Sequence, residues 1–109
     1  MASNSIKVRA NLKGDETTVK ALISHTMETG LRKDKKTGQA IPAHFIQEVT
    51  CEHNGNKVLT ALWGTAVSKN PYLSFKFNGA KSGDTLKVSW VDNQGDSDSV
   101  DTKIKYSPL

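Results

Sequence analysis

Residues 82–106 read SGDTLKVSWVDNQGDSDSVDTKIKY, and this stretch decides the fold. Leu86, Val88 and Trp90 alternate with polar residues after a Ser-Gly-Asp turn, which is the pattern of a strand with one buried face. The turn signal Asn-Gln-Gly-Asp at residues 93–96 then predicts a hairpin onto a second strand. The inward residues of that second strand are predicted to be Val100, Thr102, Ile104 and Tyr106.

Short alternating segments of the same kind recur upstream. Their predicted inward residues are Ile6, Val8, Ala10 and Leu12; Val19, Ala21 and Ile23; Phe45, Gln47, Val49, Cys51 and His53; and Leu73, Phe75 and Phe77. Asn54-Gly55-Asn56 is the strongest hairpin signal, because Asn-Gly tolerates the positive φ of a type I′ turn. This turn leads into a strand over residues 57–63, and the connection that follows could include one helical turn at Thr65-Ala66-Val67.

Seven short strands without an amphipathic helix predict an all-β fold, an immunoglobulin-like antiparallel β-sandwich of about seven strands. The 109 residues are expected to form a single domain, 1–109, that is large enough to bury one core. We expect that core to be dominated by Leu86, Val88, Trp90, Phe75 and Phe77. The order of the strands stays open.

Composition and charge restrict the classes of partner. The hydrophobic fraction of 36% and the charged fraction of 24% are typical of a folded, soluble domain. The net charge is +4, but basic and acidic residues alternate along the chain, so we expect neither nucleic acid nor a membrane as partner. The one dense run, residues 32–36, lacks interleaved aromatics and is either a solvated loop or a docking surface for an acidic partner. No apolar stretch approaches the roughly 20 residues that a bilayer span needs.

Cys51 is the only cysteine, and it has two interpretations. Its position in a strand beside Val49 favours a small buried hydrophobe. An unpaired thiol could alternatively cross-link to a partner in an oxidising compartment. A cysteine that carries sulfur needs exposure and mobility, and the middle of a strand offers neither.

The histidines and Met27 raise the question of a metal. A copper site could combine His25, His44 and His53 with the soft sulfur ligands Cys51 and Met27. A blue-copper protein, however, groups its Cys, a His and its Met in a C-terminal loop. Because the order here differs, we predict no metal and no cofactor, with the histidines at the surface or at loop ends.

Enzymatic signatures do not occur in the sequence. There is no glycine-rich phosphate loop after a strand and no Gly-x-Ser-x-Gly elbow, so no catalytic residue is predicted. Asp92, Asp96, Asp98 and Asp101 flank a hairpin, where Asp serves in turns and protects edge strands, and we predict no calcium site.

Partner binding is the remaining class of function. Residues 22–34, LISHTMETGLRKD, break the strand periodicity and are expected to form a functional surface loop. The residues predicted to bind a partner are Met27, Glu28, Leu31, Arg32 and Tyr72. Met27, Leu31, Tyr72 and Trp63 could instead cap the open ends of the sandwich. Arg32 and Glu28 could form a local ion pair, or Arg32 could clamp a partner's carboxylate or an oxyanion.

The same loop resembles the SoxZ family of sulfur-oxidation proteins, together with Ile41-Pro42, Asn70-Pro71-Tyr72-Leu73-Ser74-Phe75 and Ser89-Trp90-Val91-Asp92. The resemblance extends from about Val8 to Ile104, although Thr26 stands where that family usually has a proline after the histidine. It implies a non-catalytic subunit that forms a heterodimer with a SoxY-like subunit. The substrate-linked cysteine would belong to that partner, on its glycine-rich C-terminal arm, and periplasmic sulfur-oxidising enzymes would dock transiently.

Localisation and the competing functions are the last expectations from the sequence. The first residues, MASNSIKV, contain no apolar core of signal-peptide length, which taken alone predicts a cytoplasmic protein. The resemblance instead implies periplasmic localisation, with export on a signal-bearing partner, and because it is the more specific argument we expect a periplasmic protein. The competing function is a stand-alone immunoglobulin-like binding or adhesion module, and a copper enzyme ranks third.

Overall fold

The computed structural model describes residues 5–106, and every regular element in that part of the chain is a β-strand. The strands are β1 (Ile6–Lys13), β2 (Glu16–Ile23), β3 (Ile46–His53), β4 (Asn56–Leu62), β5 (Tyr72–Asn78), β6 (Thr85–Asp92), β7 (Ser97–Lys103) and β8 (Lys105–Tyr106). Residues 5–106 include no helix that could cross a membrane.

Within residues 5–106, two four-stranded sheets make up the sandwich, in the orders β5-β2-β1-β8 and β4-β3-β6-β7. Every pairing is antiparallel except that of β1 with the short β8, which is parallel. The first, second and fifth strands share one sheet while the third, sixth and seventh share the other, as in immunoglobulin-like domains. The predicted β-sandwich is therefore confirmed.

The end of the chain differs from the predicted final strand. β7 pairs with β6 in the second sheet and ends at Lys103, whereas β8 pairs with β1 in the first sheet. The buried Ile104 lies between them, where the chain passes from one sheet to the other. The predicted single strand therefore consists of two pieces, because Tyr106 lies in a different sheet from Val100.

The core confirms three of the five predicted residues and corrects two. Leu86, Val88 and Trp90 are buried between the sheets. Phe75 and Phe77 are only partly buried, because their strand β5 lies at the edge of its sheet and is covered from fewer sides.

A β-bulge explains why the predicted face of β3 was partly wrong. The pairing of β3 with β6 shifts register between Ile46 and Glu48, so an extra residue occupies one strand. Ile46 consequently faces the core together with Val49 and Cys51, and Gln47 is exposed. The polar residue that alternation placed inside thus lies outside.

Two predicted turns have different outcomes. Asn54 and Gly55 have φ values of 49° and 86°, the left-handed pair that a type I′ turn requires, so the β3–β4 hairpin is confirmed. No helical turn forms at Thr65-Ala66-Val67. The amide of Val67 donates instead to the carbonyl of Gly64 at 3.3 Å, in a single reverse turn.

Candidate functional site: a loop cleft held by a buried histidine–aspartate network

The connection between β2 and β3, residues 24–45, folds back on itself as a narrow ribbon. Glu28 and His44 exchange two backbone hydrogen bonds of 2.7 and 3.0 Å, and the amide of Ile41 donates to the carbonyl of Arg32 at 2.8 Å. A Cβ atom added at Gly30 would lie 3.2 Å from the Cβ of Ala43, and the φ of Gly30 is +88°. A side chain at this position would crowd the ribbon and strain the backbone. We call residues 24–45 the loop ribbon.

A buried carboxylate fastens both ends of the ribbon to the end of β6. Oδ2 of Asp92 lies 3.1 Å from Nε2 of His25 and 2.7 Å from Nε2 of His44. Its other oxygen, Oδ1, accepts the backbone amides of Gln94 and Asp96 at 3.0 and 2.9 Å. In these four contacts the carboxylate accepts hydrogen bonds from two imidazoles and two backbone amides. We call His25, His44 and Asp92 the buried network.

The hydrogen bonds fix the ionisation state of Asp92. Burial alone would raise the pKa of Asp92, but the hydrogen bonds from His25 and His44, and then those from the amides of Asp96 and Gln94, hold that pKa below its usual range. Asp92 is consequently a carboxylate at neutral pH. The predicted role of Asp92 as a turn residue is confirmed by the amides of Gln94 and Asp96, whereas its burial and its contacts with the two histidines were not predicted.

The backbone at Met27 determines which nitrogen of His25 carries its proton. The amide of Met27 donates to Nδ1 of His25 at 3.0 Å, and this close approach accompanies a left-handed φ of 48° at Met27. Since Nδ1 accepts a hydrogen bond, the proton of the imidazole is on Nε2, which donates it to Asp92. The ring also packs edge-on against Trp90, with centroids 5.2 Å apart.

The network has the composition of a metal site but not its donor chemistry. One atom from each of His25, His44 and Asp92 lies within 4.8 Å of the other two. A neutral histidine that binds a metal through Nε2 must carry its proton on Nδ1. In His25 that proton would point at the amide hydrogen of Met27, so the present geometry fits a hydrogen-bonded anchor and not a metal ligand.

The two sulfur side chains that were considered as copper ligands lie away from the network's polar atoms. The sulfur of Met27 accepts the amide of Ile46 at 3.3 Å, and Cys51 is buried in the core. His25 and His44 lie at the two ends of the loop ribbon, as expected of loop-end residues, but the burial of His25 was not predicted. His53 forms a separate contact at the far end of β3, with Asp84 at 2.7 Å.

An open cleft of about 510 Å³ borders the ribbon next to the network. It is lined by Thr26, Met27, Glu28, Thr29, Arg32 and Lys69. The guanidinium of Arg32 holds Glu28 through two contacts, Nη2–Oε1 at 2.5 Å and Nε–Oε2 at 3.1 Å. This hydrogen bonding lowers the pKa of Glu28, with a smaller contribution from the charge of Lys69, and it raises the pKa of Arg32. The predicted local ion pair is confirmed.

The structure brings together only some of the predicted partner-binding residues. Glu28 and Arg32 face the cleft, and Leu31 is 87% exposed on the same ribbon. Met27 is buried in the core, so the expectation of an exposed anchor at this position is wrong. Tyr72 is 58% exposed but lies on the outer face of the first sheet, at the start of β5.

Lys69 belongs to the cleft and was missed by the sequence analysis. Its neighbour Asn70 ties the β4–β5 connection to the ribbon, because its amide donates to the carbonyl of His25 and its Oδ1 accepts the amide of His25, both at 3.1 Å. Asn70 has a left-handed φ of 51°, a conformation that Asn tolerates better than most residues. The Asn-Pro pair at residues 70–71 is the sequence signal that could have indicated a structured corner at this point.

Cys51 has the environment of a core residue. Its side chain is fully buried between the sheets, and burial raises the pKa of the Cys51 thiol to about 12. Since the thiolate is the reactive form, this thiol is neither accessible nor nucleophilic at neutral pH. The interpretation as a small buried hydrophobe is confirmed. Trp63, the other amphipathic candidate, is half-buried against the core.

A comparison with known families adds to this geometry. The family model for the sulphur oxidation protein SoxZ matches residues 6–103, nearly the whole chain. The chain belongs to the SoxZ family. Among curated proteins, no sequence matches it. Membership of the SoxZ family implies a role in sulfur oxidation, within a system in which SoxZ is a non-catalytic component and SoxY its partner.

Proposed function

We propose that this chain is the non-catalytic subunit of a SoxYZ-like heterodimer that carries thiosulfate-derived sulfur. The SoxY-like partner would hold the sulfur on its cysteine, and the present chain would supply a rigid scaffold for that partner. The complex would work in the periplasm, after export with the signal-bearing partner, and would meet its enzymes in transient encounters.

The burial of Cys51 is the observation that carries this division of roles. A sulfur carrier must present a thiolate to several enzymes in turn, and the only cysteine of this chain is fully buried with a pKa of about 12. If the SoxZ family takes part in sulfur transfer, the covalent attachment must therefore reside on another chain.

The loop ribbon supports the role of a scaffold. Its hydrogen bonds and the buried network fix a long connection that would otherwise lose conformational freedom on binding. The fixed ribbon presents the exposed Leu31 and the ion-paired Arg32 beside an open cleft. We propose that this end of the sandwich, with Lys69, contacts the SoxY-like subunit.

The test is co-expression with a tagged SoxY-like subunit, followed by light scattering on the purified complex. Leu31→Ala and Arg32→Ala are expected to weaken the heterodimer, whereas Lys35→Ala, on the same ribbon but outside the cleft, is the matched control. A buried anchor typically costs about 2 kcal/mol or more when truncated. Equal binding by all four proteins would move the interface away from this cleft.

Mass spectrometry after incubation with thiosulfate tests the carrier role itself. The sulfur adduct is expected on the partner subunit, and Cys51→Ala should load to the same extent as the wild type. An adduct on Cys51 would contradict the proposed division of roles. Failure of the two chains to associate at any concentration would favour the stand-alone immunoglobulin-like binding module.

A further inference from the structure

The outer face of the first sheet carries a strong excess of positive charge. Strands β1, β2 and β5 expose on it five basic side chains and one acidic side chain. The basic ones are Lys7, Arg9, Lys13, Lys20 and Lys76, and the acidic one is Glu16. We call this surface the basic face.

The register of the strands places two of these cations against each other. Arg9 of β1 is directly opposite Lys20 of β2, and like charges in such pairs destabilise a sheet. The one acidic side chain, Glu16, already forms an ion pair, because its Oε1 lies 3.5 Å from Nζ of Lys76. The arrangement therefore costs stability in the isolated chain, and an external acidic group would offset that cost.

An apolar pair lies at one end of the basic face. Leu22 is paired with Lys7 on one side and with Tyr72 on the other, and Leu22 and Tyr72 are 42% and 58% exposed. A shallow groove of about 290 Å³ runs along this pair and includes Arg9 and Lys20 in its lining. Exposed apolar groups bordered by charged side chains are typical of a protein-binding surface.

The outer face of the second sheet gives an internal comparison. There the register places opposite charges against each other: Glu52 lies opposite Lys57 and Lys87, and Lys87 lies opposite Asp101. Such pairs stabilise a sheet and leave little net charge. The excess of positive charge is thus a property of one face, and it does not follow from the composition of the whole chain.

The size of the basic face fits a brief encounter better than a permanent interface. Three strands at a spacing of about 4.8 Å and seven residues at about 3.3 Å each give a patch of roughly 14 by 23 Å, on the order of 300 Å². A stable complex buries about 800 Å² on each partner, and permanent interfaces are depleted of charge at their centre.

We infer that the basic face is a docking surface for an acidic protein patch with an apolar residue at its edge. This inference rests on the proposed function, and the partners it fits are the enzymes that load and unload the carried sulfur. Charge complementarity would speed the encounter, while the small apolar contact would let the complex dissociate. Protein fits better than nucleic acid, because Tyr72 is the one aromatic side chain that β1, β2 and β5 expose on this face, and single-strand binders stack successive bases on several.

The experiment compares two variants that remove the same charge from different faces. Arg9→Ala/Lys20→Ala empties the centre of the basic face, and Lys57→Ala/Lys87→Ala removes two positive charges from the opposite sheet. The heterodimer carrying each variant is mixed with each purified sulfur-oxidising enzyme of the system, and association rates are measured by stopped flow at 20–500 mM salt. The first variant should not be destabilised, since it relieves the like-charge pair, and a thermal melt checks this.

We expect the basic-face variant to associate about tenfold more slowly than the wild type at low salt and to lose most of its salt dependence. The opposite-face variant should behave like the wild type. Equal rates for all three proteins, or an equal loss in both variants, would overturn the docking surface while leaving heterodimer formation and sulfur loading intact. If no heterodimer forms, the proposed function fails, and the same kinetics with the chain alone decide the docking surface.

A second arm separates protein from other polyanions. The same proteins are titrated with a 20-nucleotide single strand and with vesicles that contain anionic phospholipid, at 150 mM salt. We expect neither probe to bind. Binding of either probe that is tighter than the enzymes and lost in Arg9→Ala/Lys20→Ala would overturn the assignment to an acidic protein.

Discussion

Replacing Asp92 with asparagine tests whether the buried network holds the loop ribbon in place. The substitution keeps the size of the side chain and one oxygen, which can still accept the amides of Gln94 and Asp96. The other oxygen becomes an NH2 group that faces Nε2 of both His25 and His44. Two hydrogen bonds to a charged acceptor are therefore lost or rearranged.

The two histidines should respond differently to this change. His44 is 27% exposed at its side chain, so its ring can adopt the tautomer that accepts from the new amide. His25 is buried and its Nδ1 already accepts the amide of Met27, so its Nε2–H would lose its acceptor. A hydrogen bond to a charged group contributes about 1.5–3 kcal/mol, and a weakened one for His44 adds to this, so we expect Asp92→Asn to cost about 2–4 kcal/mol.

The assay is urea unfolding at pH 7 beside a thermal melt. For a domain near this size, 1 kcal/mol corresponds to about 4 °C or somewhat more, so the melting temperature should fall by roughly 8–16 °C. Asp96→Asn is the control, because the Asp96 side chain is 72% exposed and its carboxylate lies 3.9 Å from His44. A loss below about 1 kcal/mol for Asp92→Asn, or an equal loss for Asp96→Asn, would refute the role of the network.

Three further outcomes are expected. The pKa of Asp84 is lowered to about 2, mainly by its hydrogen bond with His53, so its contribution to stability should be complete above about pH 4 and be lost as the pH falls towards 2. Urea titrations from pH 2 to 6 should therefore show a flatter slope for Asp84→Asn, and an unchanged slope would speak against the contact. Thr17→Val should stabilise the fold by about 1 kcal/mol in the same assay, because the buried hydroxyl of Thr17 has no hydrogen-bond partner among the described residues. A loss of stability in this variant would show that the hydroxyl is satisfied. Met27→Ala should cost about 2–4 kcal/mol in thermal melts as a core truncation, whereas Leu31→Ala should change stability by no more than about half a kcal/mol. A larger loss of stability for Leu31→Ala than for Met27→Ala would contradict the burial of Met27.

What the sequence predicts well in this protein depends on near neighbours. The alternation of Leu86, Val88 and Trp90, the Asn54-Gly55 turn and the pairing of Glu28 with Arg32 each involve residues that are close in the chain. Their side chains or backbone angles are fixed by local geometry. The buried position of Cys51 follows from the same alternation.

The features that the sequence did not predict depend on distant partners. His25 and Asp92 are separated by 67 residues, and only the topology of the sheets shows that a histidine at the end of β2 meets an aspartate at the end of β6. Met27 is buried, and its backbone is left-handed, a conformation that is uncommon for a residue other than Gly, Asn or Asp and that alternation does not predict. Phe77 is less buried than its type suggests because β5 is an edge strand, and strand order was open.

The passage of the chain between the sheets at Ile104 has a consequence for folding kinetics. Strand β1 pairs with β8, since Leu12 lies beside Tyr106, so the first sheet is complete only when the segment from β1 to β8 is available. Hairpins such as β1–β2 and β3–β4 form within about 1–10 μs, but folds dominated by non-local pairing fold in milliseconds to seconds. Between these two times, part of the edge of β1 is an open template for other strands. Refolding from urea should therefore show a slow final phase, and its yield should fall as the protein concentration rises.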